Sequence, residues 1–342
     1  MTLPAAPRAV TMADIARAAG VSMATASRAL NNTAEVSAGT REKVLRVAAD
    51  LQYVVSPEAS GLARRRTGRI GVVVTHLSRW FYGEVVDGIA QVLREAGLDL
   101  VVYTVRDADE RHRFFSELPA RRKVDAMVVV GMPISPQEQE RLSLMDVAVV
   151  AAGGQVADYP FASIDDELAG QQAMNHLLFL GHRRIAMVDA IDPNQDEWPV
   201  EFRSRAYVRG LEHAGLALED DLFVRVPWGP EGGSTGMERL LSLPVPPTAV
   251  LAHSDEMAFG VLATLRKAGV RVPHDISVIG IDGHPVSNLL DLTTVHQDAR
   301  LQGTLAAQAV TTLLAGITPT TGQLVPTRLV PRGSTAPPRQ AS

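Results

Sequence analysis

Residues 11–63 read TMADIARAAGVSMATASRALNNTAEVSAGTREKVLRVAADLQYVVSPEASGLA, and the spacing within this stretch decides how the rest of the chain is understood. Met12, Ile15, Ala16 and Ala19 recur as one buried face of a short helix. Gly20 can take the left-handed conformation that ends it, Val21 can plug the angle between two helices, and Ser22 can cap the next. The pattern predicts a second helix from Met23 to about Leu30. It would bury Ala26 and Leu30 and turn Met23, Ala24, Thr25, Ser27 and Arg28 outward. A third helix, capped by Ser37 and running through Arg41, Val44, Leu45 and Ala48 to Tyr53, closes a three-helix core. This is the make-up of a helix-turn-helix. Its second helix fits the DNA major groove, where an arginine such as Arg28 can pair with guanine O6 and N7.

The run Asp14-Ile15-Ala16-Arg17-Ala18-Ala19-Gly20-Val21-Ser22-Met23-Ala24-Thr25-Ala26-Ser27-Arg28-Ala29-Leu30-Asn31 resembles the D-I-A-x-x-A-G-V-S-x-x-T-x-S-R-x-L-N pattern of LacI/GalR-family bacterial transcription regulators. The resemblance implies that Met23 and Ala24 choose the operator and that Arg28 is the shared base contact. It places Ser22, Thr25, Ser27, Thr40 and Tyr53 at phosphate-contacting positions, which set register without reading sequence. In the segment matching Val54 to Gly68, family members carry a hinge helix that forms on the operator, with a leucine wedged into the minor groove; Leu62 holds that place here. Two departures stand out: Ser56 where asparagine is more frequent, and Gly61, which within a helix costs roughly 1 kcal/mol against alanine. Arg64-Arg65-Arg66 reads equally as a phosphate-facing run or a solvated linker.

The chain has 342 residues, enough for two or three domains with a large core. It contains no cysteine, which excludes disulfides and thiolate chemistry. Residues 1–10 carry no signal-like apolar core and no later run approaches a membrane span, so a cytoplasmic location and no membrane partner are expected. The net charge of −5 argues against nucleic acid until its distribution is considered. Residues 1–68 hold nine Arg or Lys against five acids, a basic head on an acidic body.

From Ile70 onward apolar runs alternate with helical stretches, twice over, as in two doubly wound α/β lobes. Helices are expected near 85–96, 112–121, 168–180, 203–214, 236–243 and 256–267, with Gly97, Gly181, Gly215 and Gly269 as C-terminal caps. No Walker sequence, HExxH or GxSxG occurs. The first strand, IGVVVTHLS, is not followed by the glycine-rich turn of a dinucleotide site, and the cluster Gly232-Gly233-Ser234-Thr235-Gly236 has the wrong spacing. The histidines show no metal-ligand spacing. Neither enzyme chemistry nor a cofactor or metal is therefore expected, and a ligand cleft between the lobes remains.

HLLFLGHRRIAMV (176–188), SDEMAFGVLATLRKAGVRVPHDISVIGIDG (254–283) and LTTVHQD (292–298) also resemble the LacI/GalR family, whose regulatory core is similar to periplasmic sugar-binding proteins. The implied fold is an all-α helix-turn-helix DNA-binding head plus an α/β periplasmic-binding-protein-like core of two doubly wound parallel-sheet lobes. The implied division is a head at 1–55, a hinge and linker at 56–68, an N-terminal lobe of 69–163 plus 294–321, a C-terminal lobe of 164–293 plus 322–333, and a flexible tail at 334–342. Lobe crossings are expected near 162–165, 291–294 and 321–325. By position, Arg203 and Asp282 would grip vicinal hydroxyls, Trp228 and the Arg79-Trp80-Phe81 turn would cover an apolar ring face, and Ser254 and Gln297 would make further effector contacts. The plainer readings are a surface ion pair for Arg203 or Arg205, a turn former at Asp282, a helix cap at Asp255, core roles for Trp80 and Trp228, and a satisfied structural His253. The resulting expectation is a repressor, binding near-palindromic operator DNA as a homodimer or a tetramer built from two. It would be controlled by a small-molecule effector, a sugar or derivative before a nucleobase. A solute-binding protein or an enzyme on the same two-lobe fold are the alternatives.

Overall fold

In a computed structural model of the protein, the described residues are 10–30, 36–53, 66–154, 158–191 and 202–339. The chain separates into two compact units, Met1–Gly68 and Arg69–Ser342.

In the first unit, helices α1 (Met12–Ala19), α2 (Met23–Leu30) and α3 (Ala38–Asp50) enclose a small core of Ile15, Ala16, Ala19, Ala26, Ala29, Val44 and Ala48. Thr11 and Asp14 form a reciprocal cap on α1, and Gly20 ends it at φ +65°. Ser22 and Ser37 accept from the Thr25 and Thr40 amides, capping α2 and α3 as their sequence positions require. Two inward positions are corrected. Ala29 rather than Leu30 completes the buried face of α2, and Leu45 is largely exposed because the 100° helical step from Val44 turns it away from the other two helices.

The second unit contains two six-stranded sheets. The N-terminal lobe has the strand order β11-β5-β4-β3-β1-β2, all parallel: β1 (Arg69–Val74), β2 (Asp99–Thr104), β3 (Ala126–Val130), β4 (Ala148–Ala152), β5 (Phe161–Ser163) and β11 (Gly322–Leu324). The C-terminal lobe has the order β12-β10-β9-β8-β6-β7, formed by β6 (Ile185–Ile191), β7 (Phe223–Pro227), β8 (Ala249–Ala252), β9 (Ser277–Asp282), β10 (Thr293–His296) and an antiparallel edge strand β12 (Arg328–Val330). Central strands are continuous Val, Ile and Ala runs because crossover helices bury both faces of a parallel sheet.

These helices are α4 (Trp80–Glu95), α5 (Ala108–Glu117), α6 (Pro136–Ser143), α7 (Asp166–Phe179), α8 (Phe202–His213), α9 (Pro230–Leu241), α10 (Asp255–Lys267), the short α11 (Pro285–Leu289) and α12 (Ala299–Leu314). Gly97, Gly181, Gly215 and Gly269 all have positive φ just beyond helix ends, as their placement implied. Three expected boundaries move. Helix α4 starts five residues early, at Trp80; α5 starts at Ala108 because Asp107 caps it, accepting from the Glu110 amide. The glycine cluster lies inside α9 rather than before a helix. A Cβ at Gly233 would strike the Met257 carbonyl, and one at Gly260 of α10 the Pro230 carbonyl, so glycines let the two helix backbones touch.

The lobe division also shifts. Strand β10 pairs with β9 through His296, so the second crossing is Gln297–Asp298, later than the expected 291–294; β11 pairs with β5, so 322–324 belong to the N-terminal lobe. The first crossing lies within 162–165 as expected. The tail expected to fray is instead held. Ser334 is buried, its hydroxyl donates to the Val278 carbonyl and accepts from the Thr293 amide, and the Ala336 carbonyl meets His182 Nε2 at 2.9 Å. The Ser334 carbonyl also accepts from the Val278 amide at 2.8 Å, at the start of β9 ahead of its pairing with β10; residues 340–342 of the expected tail lie outside the described residues. Among the described residues no helix is long and apolar enough to cross a membrane.

Candidate functional site

On the head, Met23, Ala24 and Arg28 lie on the exposed face of α2, with Met23 57 % exposed although apolar. Thr25, Ser27, Thr40 and Tyr53 are half-buried. Ser22 and Thr25 hydroxyls stand 2.9 Å apart at the start of α2, and Ser37 and Thr40 hydroxyls 2.9 Å apart at the start of α3. Two helix N-termini therefore each present a hydroxyl pair with their amides, the arrangement that receives phosphate oxygens. Leu62, with Ser56, Gly61, Arg64 and Arg65, lies outside the described residues.

In the second unit, the carboxyl ends of the strands in each lobe carry the polar side chains. Arg203, on the first turn of α8, donates from Nε to Asp166 Oδ1 at 2.8 Å and from Nη1 to the His253 carbonyl at 2.8 Å. Its Nη1 also lies 3.5 Å from Asp282 Oδ1. The fork and carboxylate converge as the sequence implied, and Gln297 joins them by donating from Nε2 to Asp282 Oδ1 at 2.7 Å. Asp282 has φ +138°, a conformation a non-glycine residue holds only at a cost of about 1–3 kcal/mol. That strain is stored where β9 gives way to Gly283 and aims the carboxylate. Burial pushes the Asp282 carboxyl up to about 7, with Asp255 adding to the rise and Arg203, Gln297 and His253 opposing it.

Beneath these groups is a buried polar cluster. Asp189, at the end of β6, accepts from Ser204 Oγ at 2.8 Å, lies 2.9 Å from His253 Nδ1, and has Arg225 Nε 3.4 Å away. Burial raises its pKa, but His253, Ser204 and Arg225 together bring it below the usual carboxylate range. The His253 ring supports Trp228 edge to face, with centroids 4.9 Å apart. His253 is thus the satisfied structural residue its strand-end position suggested, and it holds both Arg203 and Trp228. Asp255 is likewise a clamp. Its carboxylate accepts from the His284 amide, Ser287 Oγ and Thr294 Oγ1, at 2.8, 2.7 and 2.6 Å.

Aromatic groups meet across the cleft. Arg79 Cζ of the N-terminal lobe sits 5.1 Å from the Trp228 ring centroid, and Trp80 lies 5.2 Å from the His284 ring, which Phe259 also contacts at 5.2 Å. Phe81 is drawn back into its own lobe, against the positive-φ turns at Gly131 and Gly153, where a Cβ would strike its ring. Ser254 accepts from the Met257 amide at 3.3 Å and so caps α10. Arg205 pairs with Glu167 at 3.7 Å, and its expected alternative partner Glu201 lies outside the described residues.

Three buried polar atoms of the cleft walls, Thr75 Oγ1, Trp80 Nε1 and Trp228 Nε1, have no hydrogen-bond partner. Each such atom left unpaired costs about 1–3 kcal/mol, so each can still take up a polar partner. Thr75, Asp166, Asp189 and His284 were missed at the level of sequence. Thr75 and His284 were within reach, since each follows a strand end; Asp166 and Asp189 reveal themselves only through partners distant in the chain. Among the described residues no group of three or more His, Asp or Glu could hold a metal ion.

Residues 11–56 match the model of bacterial regulatory proteins of the lacI family, and residues 174–335 a periplasmic binding protein-like domain. The HTH-type transcriptional repressor CytR of Escherichia coli (strain K12) is 31 % identical over 294 residues, 84 % of this chain and 85 % of that protein. The chain belongs to the LacI family. Among solved structures, the lac repressor dimer bound to operator and the anti-inducer ONPF superposes with TM-score 0.83 at 27 % identity, covering 96 % of this chain and 100 % of that one. The regulator CelR in complex with cellobiose gives TM-score 0.69 at 28 % identity, covering 95 % and 99 %. This LacI-family protein is a DNA-binding transcriptional repressor and not an enzyme.

Proposed function

We propose that the protein binds a near-palindromic operator as a homodimer and is controlled by a sugar or sugar derivative held between its lobes, with a nucleobase the second choice. The observation that carries the effector reading is the convergence of Arg203, Asp282 and Gln297 on one wall, with partnerless indole N–H groups of Trp80 and Trp228 offered from both lobes. Acceptors, donors and two flat apolar rings match the alternating hydroxyls and C–H faces of a pyranose or furanose. CelR, similar to this chain, was solved in complex with cellobiose, which supports a sugar as the ligand class.

In this reading Met23, Ala24 and Arg28 read bases, Ser22, Thr25, Ser27, Thr40 and Tyr53 hold phosphates, and Leu62 is the minor-groove wedge. Arg79, Trp80, Phe81, Arg203, Trp228, Ser254, Asp282 and Gln297 serve the effector, Phe81 and Ser254 from behind the contact surface. Twofold DNA calls for a twofold protein. Exposed Leu289 and Leu290 at the end of α11 supply apolar surface for a partner. A ligand that changes lobe closure must change DNA affinity, and DNA must change ligand affinity by the same factor.

The test is selection of duplexes from a random pool by full-length protein at fixed salt, followed by titration of the selected duplex with a panel of monosaccharides, disaccharides and nucleosides. A palindrome whose affinity shifts with one sugar supports the reading. A selected duplex indifferent to every sugar but responsive to a nucleoside replaces the ligand class, and no enrichment at all removes the operator reading.

A further inference from the structure

Asp282 ends β9 in the C-terminal lobe, Gln297 occupies the second crossing, and Gln302 lies on the first turns of α12 in the N-terminal lobe. Their side chains form one continuous chain. Gln297 Nε2 donates to Asp282 Oδ1 at 2.7 Å, and Gln302 Nε2 donates to Gln297 Oε1 at 2.9 Å. The Gln297 amide also donates to the Asp282 carbonyl at 3.1 Å. Asp282, Gln297 and Gln302 are 5 %, 2 % and 0 % exposed, so no group in this chain can turn to bulk water instead.

The direction of the chain follows from its first member. An ionised carboxylate only accepts hydrogen bonds, so it draws the NH₂ of Gln297. That turns the Gln297 carbonyl toward Gln302, which must answer with its own NH₂. The mismatch is passed to the far end, where Gln302 Oε1 is left buried without a partner. A protonated Asp282 reverses every step. Its O–H donates to Gln297 Oε1, both amides turn over about their last torsion, and Gln297 Nε2 donates to Gln302 Oε1. Gln302 Oε1 then takes the place from which Nε2 approached the Asp298 carbonyl at 3.4 Å, and Nε2 turns to the side where Oε1 has no partner, so the reversed polarity is the costlier one.

We propose that Gln302 is a positioning residue for the effector cleft, the N-terminal-lobe end of an amide relay that crosses between the lobes and changes polarity when Asp282 changes from acceptor to donor. The proposal deepens the effector reading. A ligand hydroxyl donating to Asp282 holds the relay in its acceptor polarity, and α12 in the other lobe is where that polarity is felt. Every charged or titratable neighbour of Asp282 bears on the balance: Arg203 from α8, Asp255 from α10, His253 from the end of β8, and Asp166 through its bond to Arg203. Burial and Asp255 favour the neutral carboxyl, Arg203 and His253 the ionised one.

Replacing Gln302 with an apolar side chain of similar size leaves Gln297 with one unmet group in either polarity, so the ionised form of Asp282 loses the advantage that Gln302 gives it. The expected result is a proton affinity at Asp282 about tenfold higher, a midpoint about one pH unit up. The experiment uses full-length protein labelled with [4-¹³C]aspartate, without DNA or ligand. The Asp282 carboxyl signal is assigned by its loss in Asp282→Asn and followed from about pH 4 to about pH 9 in wild type, Gln302→Leu and Gln302→Met. A glutamine that merely fills space would lower the melting temperature equally at all pH values and leave the midpoint in place. A midpoint that stays put or falls in whichever variant folds, or a wild-type Asp282 that shows no titration above about pH 4, overturns the proposal. The effector reading fails on different evidence, the absence of any ligand response.

Discussion

Arg203→Lys keeps the positive charge of the cleft and removes the fork that distributes it. The guanidinium makes two directed bonds, to Asp166 Oδ1 and to the His253 carbonyl, while facing Asp282 at 3.5 Å. A lysine ammonium can satisfy one of these directions, since its donors radiate from a single point. The variant therefore forgoes about one charge-assisted hydrogen bond, 1.5–3 kcal/mol, and leaves a buried carbonyl or carboxylate short of a donor, for a total of about 2–4 kcal/mol. With a urea dependence near 3 kcal/mol per M, that is a midpoint about 1 M lower. The assay is urea unfolding followed by tryptophan fluorescence, with Arg205→Lys as control, because Arg205 stands on the same helix, is partly exposed and keeps a looser ion pair, 3.7 Å from Glu167. Arg203→Lys should also abolish the sugar response of the DNA complex. Equal midpoints for the two lysine variants would refute the claim that the fork organises the cleft.

Trp228→Phe shrinks the platform for Arg79 and removes an indole N–H, so effector affinity should fall about tenfold or more, read by calorimetric titration with the sugar that wild type binds. Arg28→Ala should flatten the base preference recovered by duplex selection, at about 1–3 kcal/mol for the base pair it reads, with nonspecific binding little changed. The two perturbed carboxyls act in opposite directions. Asp282, raised to about 7, contributes stability that is present below about pH 4 and lost as pH rises through about 7; Asp189, lowered, contributes stability present above about pH 4 and lost as pH falls through its folded value. Melting temperatures of Asp282→Asn should therefore lack the loss on the rising side, and those of Asp189→Asn the loss on the acid side. Gly233→Ala should destabilise the protein by about 1–3 kcal/mol in the same melts, since the added methyl meets the Met257 carbonyl.

The head was almost fully legible in the sequence because its structure is local. The Thr11 cap, the Gly20 turn and the Ser22 and Ser37 caps are each set by residues within a few positions of one another. The lobes were legible as strand and helix rhythm, and Arg203, Asp282 and Gln297 converge where the resemblance placed them. What was not legible depends on partners far apart in the chain. The helix of the glycine cluster was expected to begin only near 236, because the carbonyls that its earlier glycines accommodate belong to another part of the chain. Phe81 and Ser254 sit at cleft-facing positions yet are spent on their own lobe's turns and on a helix cap. The tail beyond Val330, rich in Pro, Ser and Thr, had the composition of a loose end; the edge hydrogen bonds that hold Ser334 and Ala336 become available only once β9 and β10 are in place.

That late strap has a consequence for the chain as it is made. The DNA-reading helices are complete by residue 53, whereas the sensing lobes still await the edge strand at 322–324, the edge strand at 328–330 and the residues that pin them at 334–336. At about 5–20 residues per second, the ribosome needs roughly 15–60 s to travel from one point to the other. For that interval a nascent molecule has its DNA-binding helices finished and its two-lobe core unfinished, and the ligand control proposed above can begin only when the interval ends.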